Sequence, residues 1–301
     1  MYSPDLNRFC LQAERGNLIP VFRDSPADLE TPVSVFLKLK AKAPSFLLES
    51  VEKGEQVGRY SFIGTNPLLT FQVSESERVI DNHSKISKIR FDAANITSNP
   101  LDEIRRLLAQ YKAVNIPELP HFFGGAVGYL SYDMIRFFEK LPPCPKDELH
   151  LPDCIFLLTD TLVIFDHVRN SMKIISNALI DSNAAAAYRE ATNKIEAIIS
   201  GLDKPLSTTE LLVCSSVSTN SLAPELVSNF THDQFRANVE AAKESIHSGD
   251  ALQIVLSQRF RRQTRADSFS IYRALRMLNP SPYMFYLDFG SFQLIGSSPE
   301  M

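Results

Sequence analysis

The sequence lacks the usual nucleotide-binding signatures. It has no GxxxxGK[ST] loop and no GxGxxG turn, and "GGAVG" at 124–128 has the wrong spacing and no following lysine. A phosphate cradle is not indicated, and the other use of such glycines is close approach between neighbouring strands. None of the six histidines pairs with another at i, i+4 or stands near a cysteine or carboxylate cluster at metal spacing. A hydrolase nucleophile elbow is also missing. Cysteine is scarce: Cys10, Cys144, Cys154 and Cys214 lie far apart without a CxxC pair, which argues against a zinc ribbon or a dense disulfide framework. A reducing, cytoplasmic setting is expected. No stretch approaches the ~18 consecutive apolar residues of a membrane helix, and the opening "MYSPDLNRFC" offers neither the basic region nor the apolar run of an export signal. Neither span nor signal is expected. Lys and Arg total 31 against 35 Asp and Glu, a net charge of −4 with no long single-sign block, which disfavours nucleic acid as a partner.

What remains is a globular composition, 44% hydrophobic and 22% charged over 301 residues, enough for one large or two ordinary cores. From Phe46 to about Asp81 the short runs "FLLESV", "RYSFIG", "LLTFQV" and "ERVID", broken by Gly, Asn-Pro or charges, predict an antiparallel meander. Asn99 and Pro100 supply an N-cap and a first-turn proline for an amphipathic helix through "LDEIRRLLAQYK". "FFGGAVGYLSYD" predicts a strand entering a short helix, "CIFLLTDTLVIFD" one buried strand, and "AAAAYREATNKIEAIIS" a helix closed by Gly201. A first domain over 1–200 follows, then a Ser/Thr-rich linker over 201–228. The second unit, 229–301, opens with a capping box of Thr231 and Gln234. It continues through a strand "ALQIVLSQRF", a helix "SFSIYRALRMLN" capped by Ser268 or Ser270, and a hairpin "YMFYLDFGSFQLIG" turning at Asp288 to Ser291. Those elements bury too little apolar area to stand alone, so this unit is expected to be incomplete.

Three places call for chemistry. In "FLLESV", Glu49 and Ser50 put a carboxylate and a hydroxyl among apolar neighbours, and an unpaired buried carboxylate costs on the order of several kcal/mol. Its cationic partner is either a structural arginine such as Arg59 or the ammonium of a small ligand. In "NPSPYMF", Pro280 and Pro282 fix an extended backbone before a strand and hold Tyr283 and Met284 in set directions, which suits an aromatic ligand or equally a stiff helix-to-strand turn. Gln253 at the start of "QIVLSQ" and Glu300 after "SSP" could face one cleft, with Glu300 either a shielded proton donor or an ordinary surface glutamate.

Together, "LLESVEKGEQVGRYSFIG", "FFGGAVGYLSYDMIRFFEKLP", "SGDALQIVLSQRF" and "NPSPYMFYLDFGSFQLIGSSPEM" closely resemble component I of the anthranilate synthases, within the chorismate-utilising family. The resemblance implies an α+β fold, a two-layered or multilayered β-sandwich of antiparallel sheets flanked by helices. It implies a lyase that converts chorismate and ammonia to anthranilate and pyruvate, with ammonia supplied from glutamine by a separate glutaminase subunit in a heterotetramer. Glu300 would protonate the departing C4 hydroxyl. Gln253 stands where water-adding relatives carry a basic lysine, which disfavours isochorismate synthase, because ammonia already has a free lone pair. Mg²⁺ is implied, with its carboxylate ligands expected beyond "SSPEM". The resemblance also assigns Glu49, Ser50, Pro282, Tyr283 and Met284 to a site for the inhibitor tryptophan, placed where the two units meet. Members are longer than this chain, so it is expected to be an amino-terminal fragment, inactive in isolation. Aminodeoxychorismate synthase component I is the alternative within the family, and a non-catalytic tryptophan-binding or subunit-docking module the alternative outside it.

Overall fold

The computed structural model describes residues 1–39, 43–50, 58–74, 77–82, 86–90, 99–142, 147–206 and 225–299. The chain divides into two compact units, Met1–Val213 with Ser268–Met301, and Cys214–Asp267.

The first unit holds two antiparallel sheets. The larger takes β1 (Leu18–Pro26), β2 (Ser45–Glu49), β3 (Tyr60–Thr65), β9 (Thr161–Asp166), β10 (Ser171–Leu179), β13 (Tyr283–Asp288) and β14 (Gln293–Ser298) in the order β1-β10-β9-β3-β2-β13-β14. The smaller takes β4 (Leu69–Ser74), β5 (Glu77–Asp81), β6 (Ile86–Arg90), β7 (Gly125–Leu130) and β8 (Cys154–Thr159) in the order β6-β5-β4-β8-β7. Helices α1 (Leu6–Gln12), α2 (Pro32–Leu39), α4 (Ala184–Leu202) and α6 (Ser268–Leu278) cover the outer face of the larger sheet, while α3 (Pro100–Leu108) and a 3₁₀ turn (Tyr132–Phe137) cover that of the smaller. The fold is the expected α+β arrangement, built in four layers.

Strand alternation explains the layering. Along β9, Val163 and Phe165 join the helix-side core with Phe36, Ile195 and Phe269, while Leu162 and Ile164 join Phe46, Leu157 and Leu287 between the sheets. Along β8, Ile155 and Leu157 face the inter-sheet core, and Cys154 and Leu158 pack with Ile104 and Met134 on the far side. Both strands are buried on two faces, which is why "CIFLLTDTLVIFD" reads as an unbroken apolar run. It is two strands, not one. The chain turns at Asp160 from the smaller sheet to the larger, and the Asp160 carbonyl accepts from the Asn177 backbone N–H at 2.7 Å and from Asn177 Nδ2 at 3.2 Å.

The predicted meander is likewise split. Asn66, at φ 51°, and Pro67 carry the chain across from β3 to β4, so β2 and β3 lie in one sheet and β4 to β6 in the other. The predicted caps of α3 hold, since Asn99 accepts from the Leu101 N–H, and α4 starts at an Asn183 cap but runs through Gly201 to Leu202. Strand β1 contains Pro20 and Pro26, which hide it in sequence, yet it sits at the sheet edge, where a missing ladder N–H is tolerated.

Two further expectations are corrected. The division into 1–200, a linker and 229–301 gives way because β13 pairs with β2 from Met284↔Glu49 to Asp288↔Ser45, which draws α6 and the hairpin into the first unit. Most of the predicted linker lies outside the described residues. Among the described residues "ALQIVLSQRF" forms no sustained strand: only Phe260–Arg261 (β12) pairs there, with Val227–Ser228 (β11), and Leu252 and Val255 are exposed. Strand-like alternation forms a strand only where a partner ladder exists. In the second unit, α5 (His232–His247) carries the predicted capping box of Thr231 and Gln234 in full. The hairpin turn is as expected, with Gly290 at φ 88° and its N–H donating to Asp288 Oδ1 at 2.9 Å.

The glycines of "GGAVG" serve close packing at Gly128, where a Cβ would stand 1.8 Å from the carbonyl oxygen of Ile155 on the paired strand. We expect Gly128→Ala to push β7 off β8 and destabilise the first unit by about 1–3 kcal/mol, measured by urea unfolding. An unchanged midpoint would contradict the close approach.

Candidate functional site

Strands β2 and β13 are neighbours, so two segments more than two hundred residues apart meet side by side. Glu49, Ser50, Pro282, Tyr283 and Met284 all line one cleft of about 410 Å³. Leu48, Tyr60 and Phe62 add an aromatic and aliphatic wall, and Arg59 lies at the same cleft. The expectation that this site lies where two units meet is corrected, because every lining residue belongs to the first unit.

Alternation sorts these side chains onto two faces. Leu48 packs on the inter-sheet side, and Ser50 and Tyr283 follow that face by the period of two. Glu49 and Met284 lie opposite, in the cross-strand row Met284–Glu49–Ser61–Phe165 beneath the helices. The Glu49 side chain is 1% exposed, and its partner is Arg276 on α6, in a two-pronged pair of 3.0 Å from Nε to Oε2 and 3.1 Å from Nη2 to Oε1. Tyr272, one turn earlier on α6, donates its hydroxyl to Oε2 at 2.5 Å. Burial, followed by the charge of Glu49, pushes the Tyr272 hydroxyl far up, so it stays a donor. A carboxylate offers about four acceptor positions, and these three bonds leave one on Oε1.

Arg59 is therefore not the partner of Glu49. It pairs with Asp166, Nη2 to Oδ2 at 2.9 Å, and lies 4.9 Å over the Tyr60 ring. Burial pushes the Asp166 carboxyl up, but hydrogen bonds from Arg59 and from the backbone N–H groups of Arg169 and Val168 together hold it below the usual range. Ser50 Oγ is buried and has no hydrogen-bond partner among the described residues. A buried hydroxyl left unpaired is costly, and it marks a place where a ligand's polar group would be accepted.

His167 follows Phe165 on the helix-side face, with Nε2 2.7 Å from Ser61 Oγ. Burial lowers its pKa, while Glu49 pulls up and Arg276 pushes down. Tyr272, Arg276 and His167 were not singled out from sequence. The first two stand four apart on one helix face, which is the signal that marks them as a pair.

The structure does not test the expected pairing of Gln253 with Glu300. Gln253 is exposed on an unpaired stretch of the second unit, and Glu300 lies outside the described residues. Among the described residues no group of three or more His, Cys, Asp or Glu side chains converges to hold a metal ion, so the Mg²⁺ implied by the resemblance finds no fitting donor set among them. No helix among them is long and apolar enough to cross a membrane, and Cys10 and Cys154 are free thiols.

Comparison with known proteins identifies the family. The chorismate binding enzyme family matches residues 43–301. This chain belongs to that family. Anthranilate synthase component 1 of Acetivibrio thermocellus is 41% identical over 303 residues, covering 100% of this chain and 60% of that protein. Probable anthranilate synthase component 1 of Schizosaccharomyces pombe is 40% identical over 304 residues, covering 99% and 57%. The crystal structure of anthranilate synthase component I from Streptococcus pneumoniae TIGR4 aligns with a TM-score of 0.64 at 26% identity, covering 92% of this chain and 57% of that one. The chain thus spans about three fifths of the length of these relatives.

Two outcomes follow from the buried polar row. Arg276→Met strands the Glu49 carboxylate and should cost about 3 kcal/mol or more, whereas adding Glu49→Gln to it should recover part of that loss in a double-mutant cycle. Additive effects would deny the pairing. The depressed His167 pKa means the unfolded chain binds its proton first on acidification. Stability from His167 is full above pH ~6.5 and falls as pH drops through the lower folded value. Between pH 7 and 5 the melting temperature of the parent should fall more steeply than that of His167→Gln; parallel profiles would refute this.

Proposed function

We propose that this chain is part of an anthranilate synthase component I, a lyase that turns chorismate and ammonia into anthranilate and pyruvate, and that the cleft beside Ser50 binds tryptophan as a feedback inhibitor. One observation carries the proposal: "LLES" and "NPSPYM" form adjacent strands and line a single cleft with an unpartnered serine hydroxyl. Its volume lies within the range of small-molecule sites. Tyr60, Phe62 and Tyr283 offer surface to an indole and Ser50 Oγ to a polar group, while the Glu49 side chain, 1% exposed, lies on the opposite face of β2. Arg59 supplies a cation for a carboxylate. Glu49 would thus act chiefly by holding the site together, since most of its charge is matched within the protein.

For the chemistry, ammonia adds at C2 of chorismate as the C4 hydroxyl leaves with a proton from Glu300, and elimination of the enolpyruvyl group then aromatises the ring. Gln253 would face the incoming ammonia without acting as a base. The ammonia would come from a glutaminase partner, component II, in a cytoplasmic heterotetramer with Mg²⁺ bound outside the described residues. The names of the relatives support the reaction and the cleft supports the regulation.

A chimera joining residues 1–301 to the part of the Acetivibrio thermocellus relative beyond its aligned region tests both. With chorismate and ammonia it should form fluorescent anthranilate and be inhibited by tryptophan, and Ser50→Phe should raise the inhibitory concentration about tenfold or more. Aminodeoxychorismate as product would reassign the enzyme, and absence of product would remove the chemistry. The chain has no tryptophan of its own, so ligand indole fluorescence reports binding to the 301 residues directly. Binding without chemistry in the chimera would favour the regulatory or docking module.

A further inference from the structure

Between the two sheets lies a second space, a cavity of about 600 Å³ as open to solvent as the cleft, walled by Phe285, Leu287 and Leu294 from the larger sheet and by Val127, Tyr129 and Phe156 from the smaller. Nothing in the proposed reaction or regulation uses it. Its relation to the cleft follows from strand register. Phe285 pairs with Leu48 and Leu48 with Phe62, one row across β13, β2 and β3 on the inter-sheet face. Leu48 and Phe62 line both spaces. One row toward the strand ends are Tyr60 and, by alternation, Ser50 and Tyr283, which line the cleft alone; one row inward is Leu287, which lines the cavity alone. The two spaces therefore lie end to end along the same three strands. Phe62 also stands edge-on to Phe122, with ring centroids 5.2 Å apart, and Phe122 lines the cavity from the segment leading into β7. The Phe62–Phe122 pair bridges the two walls at the boundary.

We propose that cleft and cavity form one open trough, in which the cavity is an apolar subsite for an aryl group and Leu48 and Phe62 form the ridge that a ligand occupying both ends must cross. This rests on the effector reading for its polar end only. The cavity walls named here carry no charged side chain, so the group accepted must be uncharged and flat or aliphatic. The cleft holds the charged and hydroxyl groups, so an accepted ligand is an aromatic amino acid whose ring bears a further aryl substituent.

The test uses the 301-residue chain with methyl-labelled leucines, L-tryptophan, and 5-benzyloxytryptophan as the elongated probe. In the parent, tryptophan should shift the Leu48 methyls and leave Leu287 and Leu294 in place, and the elongated probe should bind more weakly than tryptophan. In Phe62→Ala, affinity for the elongated probe relative to tryptophan should rise by about 10-fold to 100-fold, the range for burying one more ring, with shifts at Leu287 and Leu294. Phe62→Leu and Leu48→Ala, which disturb the core less, should move selectivity in the same direction. A selectivity change under about twofold in every folded variant, or a bound probe that leaves Leu287 and Leu294 unmoved, overturns the trough. If tryptophan fails to bind while the elongated probe still shifts those two leucines, the subsite stands and the tryptophan reading falls. If neither ligand shifts any leucine, both fall.

Discussion

The first unit is organised around one carboxylate taken out of water. Glu49 sits in the middle of a sheet at 1% exposure, where an unpaired charge would cost several times a typical hydrogen bond, and its cation comes from Arg276, 227 positions later. The distance in sequence is what gives the pair its structural consequence. Satisfying Glu49 requires α6 to lie across β2, and α6 leads directly into β13, so the charge pair and the β2–β13 ladder are closed by the same piece of chain. Tyr272 fills a third acceptor position and carries an apolar ring into the helix-side core, where it stacks at 5.6 Å on Phe269. The aromatic packing of Phe36, Phe269 and Tyr286 beside it belongs to the core that buries the carboxylate, while the Arg276 side chain stays 34% exposed.

Much of this was legible in sequence where a single local rule decides. Period-two alternation marks β2 to β5, Asn-Pro marks the start of α3, and Thr231 with Gln234 marks α5, because each signal acts within a few residues. Sequence reasoning failed where the answer depends on a partner. The run from Cys154 to Asp166 looks continuous because two strands buried on both faces have the same composition, and only the switch of sheet at Asp160 tells them apart. Strand β1 escapes because its prolines are acceptable only at an edge, and edge position is a property of the whole sheet. "ALQIVLSQRF" shows the converse: it has strand-like character but, among the described residues, little ladder to join.

The candidate site divides in the same way. That Glu49 needs a cation follows from burial alone, yet the choice of Arg276 over Arg59 depends on which arginine already has a carboxylate, and Arg59 has Asp166. The five residues expected to meet a ligand do gather at one cleft, but adjacent positions in a strand point to opposite faces. Ser50 and Tyr283 follow the face of Leu48, while Glu49 and Met284 belong to the row beneath the helices. A motif read as a string treats "ES" as one unit; the pleat gives its two residues different work.

That separation bears on regulation under the proposed function. A ligand seated between Ser50 and Tyr283 acts on β2 and β13 from the inter-sheet side, while the Glu49–Arg276 pair ties β2 to α6 on the other. A forked guanidinium–carboxylate contact tolerates little sliding before one of its two hydrogen bonds is lost, so a shift of β2 along β13 must either be resisted or passed to α6. Ser268, where α6 begins, follows directly on Asp267, the last residue of the second unit. One of the two covalent routes from the first unit to the segment carrying Gln253 therefore runs through the helix that answers to Glu49. A ligand with different affinities for two settings of that helix would bias them in proportion to the difference.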